Sequence, residues 1–209
     1  MPLNEVERGM ISAVLLAAGE SRRMGRLKQL LPFGPKTVIE TCLDALLASR
    51  VDDIIVVLGH RYQEIQSHIE HFPVRIVINQ HYSQGMSSSV IRGVRAIPSA
   101  ARAALIAVVD QPLVTADIID RLIDAYRKSE KKIVIPVYRG RGGHPIIIDL
   151  SFRQKILTID PERGLRQIVY SHPQDVLRVD VETDAVIQNM NTWADYQRLL
   201  QRISSSMKE

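Results

Sequence analysis

The sequence is poor in cysteine and in aromatic residues. Cys42 is the single cysteine among 209 residues, so no disulfide can form within the chain. Its apolar neighbours at helical spacing favour a buried core thiol over a nucleophile. Aromatic residues make up 5% of the chain and do not alternate with basic ones, which leaves little from which to build a base-stacking surface. We therefore expect no nucleic-acid partner.

Long apolar runs and a strong charge imbalance are also absent. No stretch approaches the roughly 18 apolar residues of a membrane-spanning helix. The N-terminal segment carries acidic side chains and lacks the apolar centre of a signal peptide, so we expect a cytoplasmic protein with no membrane partner. The net charge of +4 is modest, and one anion-binding site explains it better than a broad nucleic-acid surface.

What the sequence does contain is an alternation of short apolar runs and amphipathic segments. Runs of Val, Ile and Leu between helices are typical of parallel strands that are buried on both faces. The pattern predicts an α/β fold, with a three-layer, mostly parallel, Rossmann-like sheet and helices on both faces. Predicted strands cover residues 11–17, 52–59, 74–79, 103–110 and 131–138; predicted helices cover 36–49, 61–72, 86–97 and 115–129, the last with Thr115 as its N-cap.

Beyond residue 138 this rhythm changes. We predict a glycine-rich turn with a strand over 140–149, short helices over 151–159 and 162–171, strands over 175–181 and 185–191, and a closing helix with Thr192 and Asp195 as its capping box. The predicted organisation is an N-terminal extension over residues 1–10, one domain over 11–204 and a tail over 205–209. Within the domain, residues 138–172 are expected to form a small antiparallel lobe over the sheet edge.

A loop rich in cations and glycines follows the first predicted strand, in the stretch LLAAGESRRMGRLKQLLPFG. Glycines permit tight turns that expose backbone N–H groups, and such groups together with cations suit a phosphate chain. The loop matches neither a Walker A loop nor a dinucleotide fingerprint. Charge runs are often only solvated, but ligands of parallel sheets bind at the carboxyl ends of strands. This position favours a polyphosphate site in the loop that holds Gly19, Arg22, Arg23, Gly25, Arg26 and Lys28, with solvated charge as the alternative for Arg22 and Arg26.

The motifs LAAGESRRMG and KQLLPFG resemble the signature of nucleotidyltransferases that activate sugar phosphates, isoprenoid precursors and the molybdenum cofactor. The stretches INQHYSQGMSSSVIRGV, VVDQPLV and GGHP resemble the molybdenum cofactor cytidylyltransferase branch, which joins CTP to molybdopterin. The resemblance runs from about residue 11 to residue 197. It implies a nucleotide-diphospho-sugar-transferase-like fold, CTP and molybdopterin as substrates, Mg²⁺ as cofactor, and transient contact with a molybdenum hydroxylase.

The resemblance also implies roles for single residues. Arg23 and Lys28 match the signature cations that contact the triphosphate. Asp110 ends the fourth apolar run and matches the metal ligand, and a hard carboxylate suits Mg²⁺. These three are the predicted catalytic residues. The predicted nucleotide-binding residues are Leu16, Ala17, Ala18, Gly19, Arg23, Lys28, Asn79, Gly85, Ser87, Ser88 and Asp110. For Asn79 a core or turn role is equally open, and the serines are also ordinary helix starters.

The C-terminal metal motif departs from the family pattern. The family carries D-x-D-T-P-E-D, whereas this chain reads NMNTWADY, so Asn189 and Asn191 stand where aspartates often stand. An amide oxygen also ligates Mg²⁺ but brings no charge. We predict Asn189 as the second metal ligand, with a turn role as the alternative.

The acceptor side is predicted from two further motifs. GGHP resembles the family's RGHP, and DPERGLR resembles its GD-x-G-x-R. Gly143, His144 and Arg166 are therefore predicted to bind the acceptor, while a purely structural role for the histidine stays open. Pro161 and Glu162 replace the family's Gly and Asp.

Two functions of different classes follow. The first is transfer of CMP from CTP to molybdopterin with release of pyrophosphate, or the same reaction with another nucleotide or phosphate acceptor. The second is a non-catalytic accessory protein that binds the finished cofactor and delivers it to a xanthine dehydrogenase-type enzyme. The two asparagines in place of aspartates keep the second function open.

Overall fold

The centre of the fold is an eight-stranded, mostly parallel sheet. The computed structural model describes residues 9–206, with side chains described up to residue 204. The predicted extension falls almost wholly outside this range, as do the last three residues of the predicted tail. The strands are β1 (Met10–Leu16), β2 (Pro32–Phe33), β3 (Lys36–Thr37), β4 (Asp53–Leu58), β5 (Arg75–Ile78), β6 (Ala101–Val108), β7 (Ile133–Tyr138), β8 (Arg141–Gly142), β9 (Ile146–Asp149) and β10 (Val176–Asp180).

The strand order is β10-β7-β9-β6-β1-β4-β5, and β8 pairs with β7. The β1–β4, β1–β6, β4–β5 and β7–β10 pairs are parallel. Strand β9 lies between β6 and β7 and is antiparallel to both. The antiparallel strands β8 and β9, which lie within the segment predicted as a separate lobe, thus belong to the main sheet. Strands β2 and β3 form a separate two-stranded hairpin.

Helices cover both faces of the sheet, which confirms the predicted three-layer fold. They are α1 (Val38–Leu47), α2 (Tyr62–Ile69), α3 (Met86–Ala96), α4 (Ala116–Lys128), α5 (Arg153–Leu157), α6 (Arg166–Ser171) and α7 (Trp193–Ser206). Alternate residues of β1 enter opposite cores. Ala13 and Leu15 pack with α1, α2, α4 and α7, whereas Val14 and Leu16 pack with α3, α5 and α6. In the part of the chain described, none of these helices is long and apolar enough to cross a bilayer.

Both predicted helix caps occupy their predicted positions, and one of them makes capping hydrogen bonds. Thr192 and Asp195 form the predicted capping box of α7, because the Asp195 carboxylate accepts from Thr192 N at 2.9 Å and Thr192 Oγ accepts from Asp195 N at 3.2 Å. Thr37 and Glu40 form another box at α1. Thr115 occupies the N-cap of α4 as predicted, but its side chain makes no capping hydrogen bond.

The predicted strand over residues 185–191 is wrong. Asp184–Ile187 form a 3-10 turn that begins with a hydrogen bond from Ala185 N to the Thr183 side chain. The Val186 carbonyl accepts from His144 N at 2.9 Å. These bonds commit the backbone to a turn, so the apolar alternation does not produce a strand.

The loops that follow β1, β4, β5 and β6 meet at one edge of the sheet. Ala17 N donates to Val57 O at 2.9 Å, and Val109 N donates to Leu16 O at 3.2 Å. Gly59, after β4, is required by close approach, because a Cβ there would lie 2.6 Å from Tyr82 Cβ and 2.9 Å from Ala18 Cβ. This edge carries the candidate site.

Candidate active site

The loop after β1 directs its carbonyl groups into the protein. Gln29 Nε2 donates to Ala17 O at 2.8 Å and to Gly19 O at 3.0 Å, and His60 N donates to Ala18 O at 3.1 Å. In a trans peptide the N–H of the next residue points away from the carbonyl. Consistent with this, the N–H groups of Ala18, Gly19 and Glu20 make no hydrogen bond to any residue between 9 and 206. Consecutive free N–H groups form a concavity that binds anions.

Lys28 joins this loop to two other parts of the sheet edge. Its Nζ donates to Asp110 Oδ2 at 3.1 Å, to Met190 O at 3.3 Å and to Asn191 Oδ1 at 3.3 Å. The Lys28 and Asp110 side chains are only 13% and 18% exposed, so solvent screens this ion pair less than a surface pair. The structure therefore brings together two of the three predicted catalytic residues, 82 positions apart in the chain.

The other cations of the loop differ in their pairing. Arg22 donates to the Glu20 carboxylate, and this hydrogen bond lowers the pKa of Glu20. Arg23 and Arg26 are exposed, and neither makes an ion pair within the described residues. Arg23, the third predicted catalytic residue, is thus available to a ligand.

A cleft of about 330 Å³ opens between the β1 loop and the start of α3, a volume at the lower end of the usual range for small-molecule sites. Its walls include Gly19 and Glu20, whose N–H groups make no hydrogen bond between residues 9 and 206, together with Arg23 and Lys28. Its lining is Gly19, Glu20, Ser21, Arg22, Arg23, Met24, Lys28, Tyr82, Ser83, Gly85 and Asn191. The cleft is mostly cationic and rich in donors, which suits a polyanion.

The start of α3 contributes a backbone site to this cleft. Gly85 is its N-cap with φ of +94°, a conformation that favours glycine. Asn79 is 3% exposed and supports the turn, because its Nδ2 donates to the Ser88 and Ser89 hydroxyls at 2.9 and 3.0 Å and its Oδ1 accepts from His81 N at 3.0 Å. The free end of the helix favours negative charge.

Several predicted nucleotide contacts are already engaged within the protein. Ser87 Oγ donates to Pro161 O at 2.9 Å, and Ser88 Oγ donates to Gly85 O at 2.8 Å. The Leu16 carbonyl accepts from Val109 N, and the side chains of Ala17 and Ala18 are buried. A direct contact of these residues with a nucleotide stays a prediction; what the structure gives them is support of the cleft.

The two candidate metal asparagines are placed differently. Asn189 Oδ1 accepts from Gln111 Nε2 at 2.8 Å, whereas Asn191 Oδ1 shares Lys28 Nζ with Asp110. Among residues 9–206 there is no cluster of three His, Cys, Asp or Glu side chains. One carboxylate with an amide oxygen fits a Mg²⁺ ion that takes its remaining ligands from substrate phosphates and water. Asn191 is therefore the better-placed amide.

The three predicted acceptor residues have different surroundings. Gly143 is buried, and a Cβ there would lie 1.9 Å from Val186 O, so the structure gives it a packing role. Burial lowers the pKa of His144, the Asp110 charge opposes this shift and the Arg166 charge adds to it. His144 thus lies within electrostatic reach of both charged groups, while Arg166 is exposed at the start of α6. Direct contact of all three with an acceptor stays a prediction.

Sequence reasoning missed three residues of this edge. Gln29 is fully buried beneath the β1 loop, Tyr82 lines the cleft, and Gln111 holds Asn189. The sequence does contain a signal for Gln29, since it is an uncharged polar residue among the leucines of LKQLL. Tyr82 carried one as well, since it is the aromatic residue of a polar loop.

A family model described as the MobA-like NTP transferase domain matches residues 13–176. Together with the fold and the cleft, this match makes the protein a nucleotidyltransferase. The chain belongs to the MobA-like NTP transferase family, which confirms the resemblance seen in the sequence.

Three relatives match over nearly their whole length. Nicotine blue oxidoreductase of Paenarthrobacter nicotinovorans is 29% identical, covering 95% of this chain and 100% of the relative. A probable molybdenum cofactor guanylyltransferase of Mycobacterium avium is 30% identical, over 91% and 95%. The molybdenum cofactor cytidylyltransferase of Escherichia coli K12 is 26% identical, over 89% and 93%.

Solved structures agree with the fold. The Rv0371c protein of Mycobacterium tuberculosis has a TM-score of 0.84 at 26% identity, over 92% of this chain and 98% of that one. A nucleotidyl transferase from Methanothermobacter has a TM-score of 0.82 at 27% identity, over 94% and 99%. A manganese complex of Rv0371c has a TM-score of 0.77 at 25% identity, over 92% and 98%. The predicted nucleotide-diphospho-sugar-transferase-like fold is thereby confirmed.

Proposed function

We propose that the protein transfers CMP from CTP to molybdopterin and releases pyrophosphate, with Mg²⁺ as cofactor. The observation that carries this proposal is the junction of Lys28, Asp110 and Asn191 beside a cleft whose loop presents free N–H groups. The names of two relatives support the molybdopterin acceptor. The choice of CTP over GTP rests on the resemblance of the INQHYSQGMSSSVIRGV, VVDQPLV and GGHP stretches to the cytidylyltransferase branch.

The cleft would hold the triphosphate through its cations and backbone donors. Gly19, Glu20 and Arg23 would face a polyanion from one side, and the start of α3 would face it from the other. These donors are fixed by the fold, so little reorganisation is needed when charge develops in the transition state.

A bound Mg²⁺ would neutralise part of the charge on the triphosphate and the incoming phosphate. Asp110 and Asn191 would hold it. Lys28, relieved of Asp110 by the metal, would then be free to contact the phosphates. The acceptor phosphate is already ionised at neutral pH, so the reaction needs no general base, and catalysis consists of positioning and charge stabilisation.

The acceptor would approach from the side of His144 and Arg166. Because burial lowers the pKa of His144, its imidazole is neutral at pH 7 and donates or accepts a hydrogen bond without adding charge. Arg166 is exposed and supplies the cation for the acceptor phosphate. A neutral hydrogen-bonding side chain beside a cation suits an acceptor that combines a heterocycle with a phosphate group.

Release of pyrophosphate tests the proposal. The purified protein is incubated with Mg²⁺, molybdopterin and either CTP or GTP. We expect CTP-dependent pyrophosphate, and its loss in Asp110→Asn, whereas Asp180→Asn on the exposed edge strand stays active. Pyrophosphate with GTP alone would correct the nucleotide, and an active Asp110→Asn variant would remove the metal role.

Two other outcomes point to other functions. Tight binding of the finished cofactor without pyrophosphate release would support delivery to a molybdenum hydroxylase. The full-length similarity to nicotine blue oxidoreductase makes an oxidoreductase the second candidate, so nicotine blue is offered with and without an added reductant. Protein-dependent conversion of nicotine blue without pyrophosphate release in the first assay would replace the transferase proposal.

A further inference from the structure

Gln29 is a polar side chain in an apolar interior. It is 0% exposed, and it lies in the 3-10 turn Lys28–Leu30 between the buried residues Leu27 and Leu31. A buried amide is costly unless its donors and acceptor are satisfied. Here the partners belong to the β1 loop: Nε2 donates to Ala17 O and Gly19 O, and Oε1 lies 3.5 Å from Ser21 Oγ.

The two Nε2 bonds set the direction of two alternate peptide groups. Among the described residues the single cis peptide bond is His144–Pro145, so the peptides that follow Ala17 and Gly19 are trans. With both carbonyls turned toward Gln29, the N–H groups of Ala18 and Glu20 point the opposite way. Rotation of either peptide would place a carbonyl oxygen where a phosphate oxygen is to bind.

Gln29 is also coupled to Lys28 through the same turn. Successive residues of a 3-10 helix project about 120° apart, so Lys28 reaches out to Asp110 while Gln29 reaches in to the loop. Ser21, at φ of +55°, closes the arrangement because its Oγ accepts from Lys28 N at 3.2 Å. One turn therefore fixes a cation and the backbone donors in a common frame.

We propose that Gln29 is a positioning residue that holds the β1 loop in the conformation that binds the nucleotide triphosphate. The inference rests on the proposed function insofar as the ligand is a nucleoside triphosphate. Gln29 itself contacts no phosphate; it acts through the peptide groups of residues 17–20.

Two substitutions separate this role from simple packing. Gln29→Leu removes both donors at similar volume. Gln29→Glu replaces the amide with a carboxyl group, which when ionised has only hydrogen-bond acceptors to offer to the two carbonyl oxygens. We expect both substitutions to weaken the binding of CTP by about tenfold, which corresponds to the net contribution of roughly one hydrogen bond. Calorimetry with Mg²⁺ at pH 8 measures this binding. In turnover, KM for CTP should rise by a similar factor while kcat changes less, because the loop is used in ground and transition states alike.

The pH dependence gives the sharper readout. Burial against carbonyl oxygens raises the pKa of a carboxyl group, and the protonated form regains an O–H donor. Affinity of Gln29→Glu for CTP, divided by that of the wild type at each pH, should therefore recover as pH falls from 8 to 6. The same ratio for Gln29→Leu should stay flat, and Gln154→Glu on the exposed part of α5 should match the wild type throughout.

The outcomes are distinct for the two proposals. A wild type that binds no CTP overturns the proposed function. A wild type that binds CTP while folded Gln29→Leu binds within twofold of it overturns the positioning role. Thermal melting of each variant establishes folding at the assay temperature. If Gln29→Leu is unfolded there, the Gln29→Glu ratio decides alone: recovery at low pH supports the role, and a flat ratio overturns it.

Discussion

Two glycines near the site have opposite surroundings. A Cβ at Gly143 would meet the Val186 carbonyl oxygen at 1.9 Å, whereas a Cβ at Gly19 would meet nothing within 4 Å. The first glycine allows two backbone segments to touch. The second keeps space in the cleft that it lines. Their requirements belong to the fold and to the ligand respectively.

Alanine substitution separates these two roles. Gly143→Ala should lower the free energy of unfolding by more than about 2 kcal/mol, because backbone must move to relieve the clash. Gly19→Ala should leave stability nearly unchanged and weaken CTP binding, since the methyl group enters the cleft. Urea unfolding and CTP titration of both variants measure this. A stable Gly143→Ala variant would contradict the close approach.

Lys28 occupies the acceptors that a metal would use. Its Nζ contacts Asp110 Oδ2 and Asn191 Oδ1, so a divalent cation without nucleotide must compete with the ammonium group. Lys28→Met should therefore increase the affinity for Mn²⁺ in the absence of nucleotide by at least about fivefold, because two charges about 4 Å apart interact by roughly 1 kcal/mol even in bulk water and by more at a partly buried site.

Electron paramagnetic resonance of free Mn²⁺ measures this binding directly. Arg23→Met is the matched control, because it removes a cation of the same loop that makes no ion pair among residues 9–206. Equal or weaker Mn²⁺ binding by Lys28→Met would show that the ammonium group does not compete for these oxygens.

At the scale of elements, the start of α7 fixes part of the proposed metal site. The Asp195 carboxylate accepts from the N–H groups of Asn191 and Thr192 at 3.2 and 2.9 Å. Burial acts to raise the pKa of Asp195, but the hydrogen bonds from Thr192, Asn191 and Arg198 together lower it. The carboxylate is thus ionised at pH 7 and holds the backbone from which the Asn191 side chain reaches Lys28.

Removal of this cap should loosen both the helix and the site. Asp195→Ala is expected to cost about 1 kcal/mol of stability and to raise the Mg²⁺ concentration needed for half-maximal pyrophosphate release. Asp195→Asn keeps an acceptor oxygen, so its stability and its Mg²⁺ requirement should lie between those of Asp195→Ala and the wild type. Thermal melts and a Mg²⁺ titration test this, and an unchanged Mg²⁺ requirement in Asp195→Ala would separate the cap from the site.

Elements with strong periodicity were predictable, and those set by distant contacts were not. Strands β1, β4 and β6 are apolar runs buried on both faces, so length and composition define them. The 3-10 turn Asp184–Ile187 has comparable apolar residues, but its backbone groups form hydrogen bonds with the Thr183 side chain and with His144 N. Asp110 and Lys28 were found from their motifs, whereas the partners of Asn189 and Asn191 come from residues about 80 and 160 positions away.

The whole molecule should lose stability in mild acid. Burial lowers the pKa of His144 below its usual 6.5, so the unfolded chain binds this proton more readily than the folded one. The stability contributed by keeping His144 neutral is complete above pH 6.5 and declines as pH falls from there toward the lowered folded value.

Denaturant unfolding at pH 8 and pH 5.5, without divalent cations, measures this effect. The wild type should lose more stability between the two pH values than His144→Gln does. His68→Gln, on the exposed face of α2, should lose as much as the wild type. Identical pH dependence of the His144→Gln variant and the wild type would contradict the burial of a neutral imidazole.

The family match ends at residue 176, yet the chain beyond it returns to the candidate site, where Met190 and Asn191 accept hydrogen bonds from Lys28. Between the turn at Thr183 and the α7 cap, Val186 and Met190 are fully buried, and Met190 belongs to the same apolar core as Leu15 of β1. The neighbouring Asn191 is the residue whose amide oxygen reaches Lys28. The same short segment therefore covers part of the sheet and completes the proposed site, so its packing and its chemistry cannot be altered independently.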